Sequence, residues 1–339
     1  MLKRWMMMLL CMITVVSLSA CSSNKSQENT TEESGETTAG TEQVSETEDS
    51  TVPASETADS TEQTNTADES KIKVSVSFDA MQEFVYAVGK DKVDISTIIP
   101  DGMEPHDFEP KAQELARLST AGVFVYSGLG MEAWAEEAIK AVDNAELITV
   151  EASRGADMIA NTEPEEIEEH GQYDPHIWLS LKGAQLEVKN IKDALVQADP
   201  SNKDYYEANC NDYISQLEKL YNEYNEKFQS VEKKSFVTGH AAFGYLCREF
   251  GLEQNSVEDT FAEGEPTAQQ LTELVEYCKQ NNVTTIFAEE MASPEVSQTL
   301  ANEVGAEVET IYTIESNEDD LTYLERMEAN LAKIYESLK

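Results

Sequence analysis

Basic residues are scarce in this 339-residue chain: 24 Lys and Arg stand against 66 Asp and Glu, a formal charge of −42. A nucleic-acid interface, or a face for anionic lipid, would have to form against that repulsion, and both are excluded as partners. Histidine is scarcer still, with four in the whole sequence. Long apolar runs are missing too: residues 5–18 fall short of the ~20 needed to span a bilayer as a helix. There is no His-Glu-x-x-His, no phosphate-binding P-loop and no Gly-x-Ser-x-Gly, so the familiar marks of zincins, P-loop NTPases and α/β-hydrolases are absent. Five cysteines are present, none at metal-ligand spacing.

What is present begins with an address. Lys3 and Arg4 precede the apolar run, and Leu18-Ser19-Ala20-Cys21 closes it. A short basic segment, an apolar core and small residues before the cut describe a secretory signal over residues 1–20. The tetrapeptide resembles the bacterial lipoprotein processing box, which implies that Cys21 is lipidated and becomes the mature N-terminus. Residues 22–70 repeat Ser, Thr and Glu with almost no large apolar side chains. Such a stretch buries too little apolar surface to offset its ordering entropy, and is expected to be a disordered, self-repelling tether. The membrane is then met through the lipid alone.

From residue 71 strand and helix patterns alternate. Strands are expected at 71–78, 93–99, 122–126 and 147–150, and helices at 81–88, 111–118, 131–142 and 183–197. Asp199-Pro200 stops the last of these, and Ser201 is placed to cap a long helix reaching about residue 231. There Tyr206, Cys210, Tyr213, Leu217, Leu220, Tyr224 and Phe228 recur every three or four residues as one apolar stripe. At 1.5 Å per residue such a helix spans roughly 45 Å, enough to serve as a backbone for two lobes. The alternation then restarts, with strands at 235–238, 284–288 and 308–314 and helices at 241–250, 268–280, 294–304 and 321–338. The fold class is α/β: two (β/α) lobes, residues 71–200 and 232–339, each with a mainly parallel sheet, joined by the helix 201–231.

Three of the four histidines fall at expected strand ends or stiff loops: His106 after Glu104-Pro105, His176 after Asp174-Pro175, and His240 after Thr238-Gly239. Ligands of open α/β sheets bind beyond the carboxyl ends of the strands, and a preceding Pro or Gly gives a loop a fixed or sharply bent approach. A single loop histidine is ordinarily a polar surface residue. Three in such positions point instead to a transition metal, for which neutral imidazole is the commonest ligand. A carboxylate would compensate the charge. Glu315, after the strand expected at 308–314, is the first choice, with Glu289 and Glu290 as alternatives.

The segments around these residues are specific in combination. Glu104-Pro105-His106-Asp107-Phe108-Glu109-Pro110, residues 126–134 (Tyr126 to Trp134), Asp174-Pro175-His176-Ile177-Trp178-Leu179-Ser180 and Gly239-His240-Ala241-Ala242-Phe243-Gly244-Tyr245 together resemble the zinc/manganese ABC-transporter substrate-binding lipoproteins. The similarity runs from about Val74 to the C-terminus. It implies two (β/α) lobes, a rigid joining helix and one metal ion in the cleft. By it, His106 and His176 are ligands from the first lobe and His240 and Glu315 from the second. It also implies an extracytoplasmic, lipid-anchored monomer that delivers its ion to an ABC permease, and family members are reported as adhesins as well.

Histidine at position 240 favours Zn²⁺ over Mn²⁺, because three nitrogens and one oxygen suit a tetrahedral site whereas Mn²⁺ prefers more oxygen. Zinc-specific members of that family often carry a histidine-rich stretch before the second ligand. Here residues 163–170 are acidic with His170 alone, expected to be a solvated residue. A zinc-dependent hydrolase is the competing class; it would need an open coordination position for water, which Glu315 would fill. Gly128-Leu129-Gly130-Met131-Glu132-Ala133 matches a dinucleotide fingerprint, with Glu151 near the place of the ribose acid, but a carboxylate at 132 would oppose a pyrophosphate. Tight strand–helix packing is the simpler role. Cys210, Cys247 and Cys278 read as buried small hydrophobes, with a Cys247–Cys278 bridge the alternative for an exported chain.

Overall fold

Short β-branched and aromatic runs make the strands, and the structure, a computed structural model, describes them within residues 71–161, 167, 171–262, 266–289, 295–317 and 319–339. The expected signal, Cys21, the tether, His170, Glu290 and Glu318 lie outside the described residues. Strands β1 (Ile72–Val76), β2 (Val93–Thr97), β3 (Val123–Tyr126) and β4 (Ile148–Glu151) form one sheet in the order β2-β1-β3-β4. Strands β5 (Ser235–Thr238), β6 (Glu253–Ser256), β7 (Thr285–Glu289) and β8 (Glu307–Ile311) form a second, in the corresponding order β6-β5-β7-β8. Every pairing in both sheets is parallel.

Helices α1 (Asp79–Gly89), α2 (Ala112–Leu118), α3 (Ala135–Ala141) and α4 (Leu181–Ala198) belong to the first lobe, and α5 (Lys203–Ser230) joins it to the second. There α6 (Gly244–Phe250), α7 (Ala268–Asn281), α8 (Glu295–Val304) and α9 (Tyr323–Ser337) complete the α/β pattern. Both sheets fall in a single compact unit. No helix among the described residues is long and apolar enough to cross a membrane.

The long helix behaves as its stripe requires. All seven stripe residues, from Tyr206 to Phe228, are buried, and 28 residues make roughly 42 Å of helix. Near one end Tyr213 meets Phe84 of α1, ring centres 6.3 Å apart; near the other Phe228 meets Phe250 at 5.1 Å and Tyr335 of α9 at 6.1 Å. One apolar core therefore runs from Val74 through Leu217 to Leu331 across both lobes. A smaller one, around Val237, Leu274, Ile286 and Leu300, lies on the other face of the second sheet. Neighbours on a strand separate accordingly: Phe236 joins the first core and Val237 the second, as the two-residue period of a pleated strand demands.

Some expected boundaries fail for identifiable reasons. Strand β6 was not anticipated, because Glu253-Gln254-Asn255-Ser256 is polar; it is an edge strand whose register is supplied by β5. Ser201 does not cap the long helix. The Asp199 carboxylate takes the Ser201 N–H at 3.2 Å, and a 3₁₀ turn at Pro200–Asn202 intervenes. Strand β8 stops at Ile311 rather than at 314, and α6 starts at Gly244 rather than at 241.

Helix α3 begins at Ala135 rather than at 131, and the glycine fingerprint explains why. The Ser127 and Gly128 N–H groups both donate to the Glu132 carboxylate, each at 2.9 Å. The backbone cradle in which a dinucleotide phosphate would lie is filled by the chain's own anion. Beside it Ser127 Oγ donates to Glu187 Oε1 at 3.3 Å, and Glu187 is wholly buried on α4. Burial lifts the Glu187 carboxyl well above its ordinary range; the Ser127 bond opposes this and the neighbouring Glu132 reinforces it.

That shift has a sign in stability. Folded Glu187 holds its proton, whereas the unfolded chain gives it up above about pH 4.3. Stability therefore falls as pH rises from there towards the folded pKa. Glu187→Gln removes this cost, so urea unfolding at pH 5 and pH 8 should show a smaller loss for the variant between the two than for the parent chain. Parallel losses would mean that Glu187 ionises at no cost in the fold.

Candidate metal centre

The site lies where strands end. His240 follows β5 by two residues, His106 stands in the loop after β2, and Glu315 follows β8. His176 departs from the expected niche: it is reached by the long segment after β4 and immediately precedes a 3₁₀ turn, Ile177–Leu179. The four meet nonetheless. One donor atom from each of His106, His176, His240 and Glu315 lies within 4.8 Å of all the others.

Two of the nitrogen separations are those of a tetrahedral shell, and the carboxylate stands wider. His176 Nε2 is 3.3 Å from His106 Nε2, 3.4 Å from His240 Nε2 and 3.8 Å from Glu315 Oε1. A tetrahedral ion with nitrogens at ~2.0–2.1 Å holds them about 3.3–3.4 Å apart. His176, His240 and Glu315 are buried and His106 is partly exposed, so the cluster opens to solvent on the His106 side.

Two of the candidate ligands are each backed by a carboxylate. Asp174 Oδ1 lies 2.9 Å from both His176 N and His176 Nδ1, which fixes the ring with Nε2 towards the cluster. Asp174 is itself steadied across the lobes, its carbonyl accepting from Tyr245 Oη at 2.7 Å. Glu289, at the end of β7, accepts the His240 N–H at 3.0 Å and lies 3.6 Å from its Nδ1; it stands behind His240, while Glu315 is the carboxylate within the four-residue group. This approach requires glycine at 239, where an added Cβ would sit 1.9 Å from Glu289 Oε2. Gln254 Nε2 donates to the His240 carbonyl at 2.9 Å from behind. Glu315 follows Ile314, whose φ of +60° is a costly conformation for a β-branched residue.

Three groups lock the Glu315 loop against the first lobe. Trp178, two residues beyond His176, donates from Nε1 to the Thr313 carbonyl at 2.7 Å, two residues before Glu315. Its own carbonyl accepts from Tyr323 Oη at 2.5 Å. Arg326, 1% exposed, donates to Asp79 Oδ2 at 2.6 Å and to the Ser316 carbonyl at 3.0 Å. The Gly102 N–H donates to Ser316 Oγ at 2.7 Å.

Electrostatics suit a cation. Burial, and then the charge of His176, push the His240 pKa well below the ordinary range, so this ring is neutral and has no proton to shed before coordinating. On the open side Glu104 Oε1 takes the His106 N–H at 3.3 Å. Glu258 stands nearby with its carboxyl raised by burial and by the charges of Asp259 and Glu104. Elsewhere the thiols take no part: Cys210, Cys247 and Cys278 are free and buried, and burial lifts Cys278 to about 11. The Cys247–Cys278 bridge is not formed.

Sequence reasoning named the four residues that the structure brings together but missed Asp174, Trp178 and Arg326. The first had a readable signal, an acid two residues before a histidine across a proline. The other two act over separations of 135 and 247 residues, which no local pattern reports.

Residues 74–337 match the family described as ZnuA, the periplasmic component A of zinc-uptake complexes. A putative metal-binding protein of Treponema pallidum is 45% identical over 273 residues, covering 78% of this chain and 86% of the relative. The high-affinity zinc uptake system protein ZnuA of Bacillus subtilis is 40% identical over 281 residues, covering 79% and 88%. Among solved structures, the laminin-binding protein Lmb of Streptococcus agalactiae, described as bifunctional with adhesin and metal-transporting activity, superposes with a TM-score of 0.72 at 34% identity, over 79% of this chain and all of that one. The family is extracytoplasmic, works with ABC-transporter permeases and consists of binding proteins rather than enzymes. With its two four-stranded parallel sheets and joining helix, the chain belongs to the ZnuA family of substrate-binding proteins.

Proposed function

We propose that this chain captures one Zn²⁺ ion with His106, His176, His240 and Glu315 and delivers it to an ABC permease for import. The observation that carries the reading is the convergence of three imidazole nitrogens and one carboxylate oxygen within 4.8 Å of one another, with two of the nitrogen pairs at 3.3 and 3.4 Å. That donor set suits Zn²⁺ better than Mn²⁺, which prefers more oxygen ligands. Four protein ligands leave no open position for an activated water, which argues for carriage over hydrolysis. The names of the relatives from Bacillus and Treponema, a zinc-uptake protein and a metal-binding protein, support the same cargo.

Delivery at a permease fits an anchored receptor. We place the signal at residues 1–20, a lipid on Cys21, the tether at 22–70, the lobes at 71–200 and 232–339, and the joining helix at 201–231, in a chain that works as a monomer. The tether would keep the lobes close to the membrane while the lipid alone enters it. Release would require the permease to favour a conformation in which the four donors no longer meet.

Purified protein exposed to equal Zn²⁺ and Mn²⁺ should retain one zinc per chain by elemental analysis; stoichiometric manganese would overturn the choice of cargo. His240→Ala should weaken Zn²⁺ binding at least a hundredfold in a competition titration, while His170→Ala stays within about threefold. Equal losses would remove the ligand assignment. Asp174→Asn, which keeps the shape but not the charge behind His176, should cost about 10–100-fold. Because every imidazole must be unprotonated to bind, affinity should decline as the solution is acidified; a flat profile from pH 7.5 to 5 would argue against histidine ligation.

A further inference from the structure

Phe261 is large, apolar and 1% exposed, and among the described residues it is grouped with neither apolar core. Its ring packs edge-on against His106, centroids 5.4 Å apart at 81°. His106 comes from the first lobe and Phe261 from the segment after β6 in the second, so the contact crosses the cleft. It is made at the one candidate ligand that is not fully buried.

The backbone that carries Phe261 is tied to the backbone that carries His240. Ala241 N donates to the Asp259 carbonyl at 2.9 Å, and Glu258 N and Val257 N donate to the Gly239 carbonyl at 2.7 and 2.9 Å. Within the segment, Phe261 N donates to Asp259 Oδ1 at 3.0 Å and fixes where the ring points. Ala262 follows at a φ of +55°, a left-handed conformation that costs a non-glycine residue of order 1 kcal/mol. The Glu315 loop, by contrast, is fastened to the first lobe through Trp178 and Arg326. Two of the second lobe's contributions, the His240 ligand and the Phe261 ring, thus share one hydrogen-bonded unit, while the third is held by the other lobe.

We propose that Phe261 is the gate of the metal site: its ring closes the His106 side, and its displacement, together with the His240 loop, sets the rate at which the ion enters and leaves. This deepens the zinc-capture reading and rests on it. The ring contributes no donor atom, so its removal acts on the barrier more than on the bound state. Glu258 and Asp259, in the same segment, put negative charge beside the gate, where an incoming cation would first be attracted.

Stopped-flow measurement with Zn²⁺ and a chromogenic chelator tests this on the full chain. Phe261→Ala should speed both release and capture at least tenfold while the equilibrium affinity changes by less than about threefold. Phe261→Leu, which keeps apolar bulk with less reach, should fall between the two. Thermal melts confirm that each variant is folded, and the leucine variant alone decides if the alanine one is not. Release within twofold of the parent chain overturns the gate. So does faster release with unchanged capture and a proportionate loss of affinity, since the ring would then merely stabilise the closed form. A parent chain that binds no zinc would fail the capture reading itself, a result visible before any variant is compared.

Discussion

The hydrogen bond from Trp178 to the Thr313 carbonyl sets the dimensions of the site. It joins a first-lobe turn to a second-lobe loop two residues from His176 on one side and two from Glu315 on the other. The indole is fully buried, with Phe78 packed 4.8 Å from it, so this neutral bond is sheltered from competing water. A donor set can be selective only if its separations are held before the ion arrives; otherwise the ordering cost is subtracted from affinity. His176 and Glu315 are held in this way from beneath. The Asp79–Arg326 pair, both ends about 1% exposed, repeats the lock behind Ser316.

The other two candidate ligands are held differently. His240 is supported from its own lobe by Glu289 and Gln254, and His106 stands on irregular backbone after β2 with one side towards solvent. The site therefore has a fixed half, His176 with Glu315, and a half whose supports do not cross the lobes in the same way. Capture and release ask for such a division, because a cage rigid in all its parts would give up its ion too slowly for a carrier. The neutral state of buried His240 serves the same end, since coordination there needs no proton to depart.

Much of this was legible in the residues. Four histidines in 339 residues made each position informative, and proline or glycine before three of them marked loops of fixed direction. The stripe on the long helix was readable because a 3.6-residue period survives any tertiary context that buries one face. The rest was hidden for physical reasons. β6 is polar because it lies at an edge and takes its register from β5. In the glycine fingerprint Glu132 already argues against a phosphate, and the fold adds that its carboxylate fills the cradle. Trp178 and Arg326 carry no local signal of their roles, since their partners Thr313 and Asp79 lie more than a hundred residues away.

The buried Asp79–Arg326 pair and the exposed acid Glu104 also stand in different dielectric surroundings, and ionic strength separates them. At 0.15 M the Debye length is about 8 Å, which mutes exposed charges beyond the mouth but scarcely reaches a pair under the surface. Added salt should thus slow the arrival of a cation without loosening the frame that receives it. The strength of the grip is decided out of reach of the counterions.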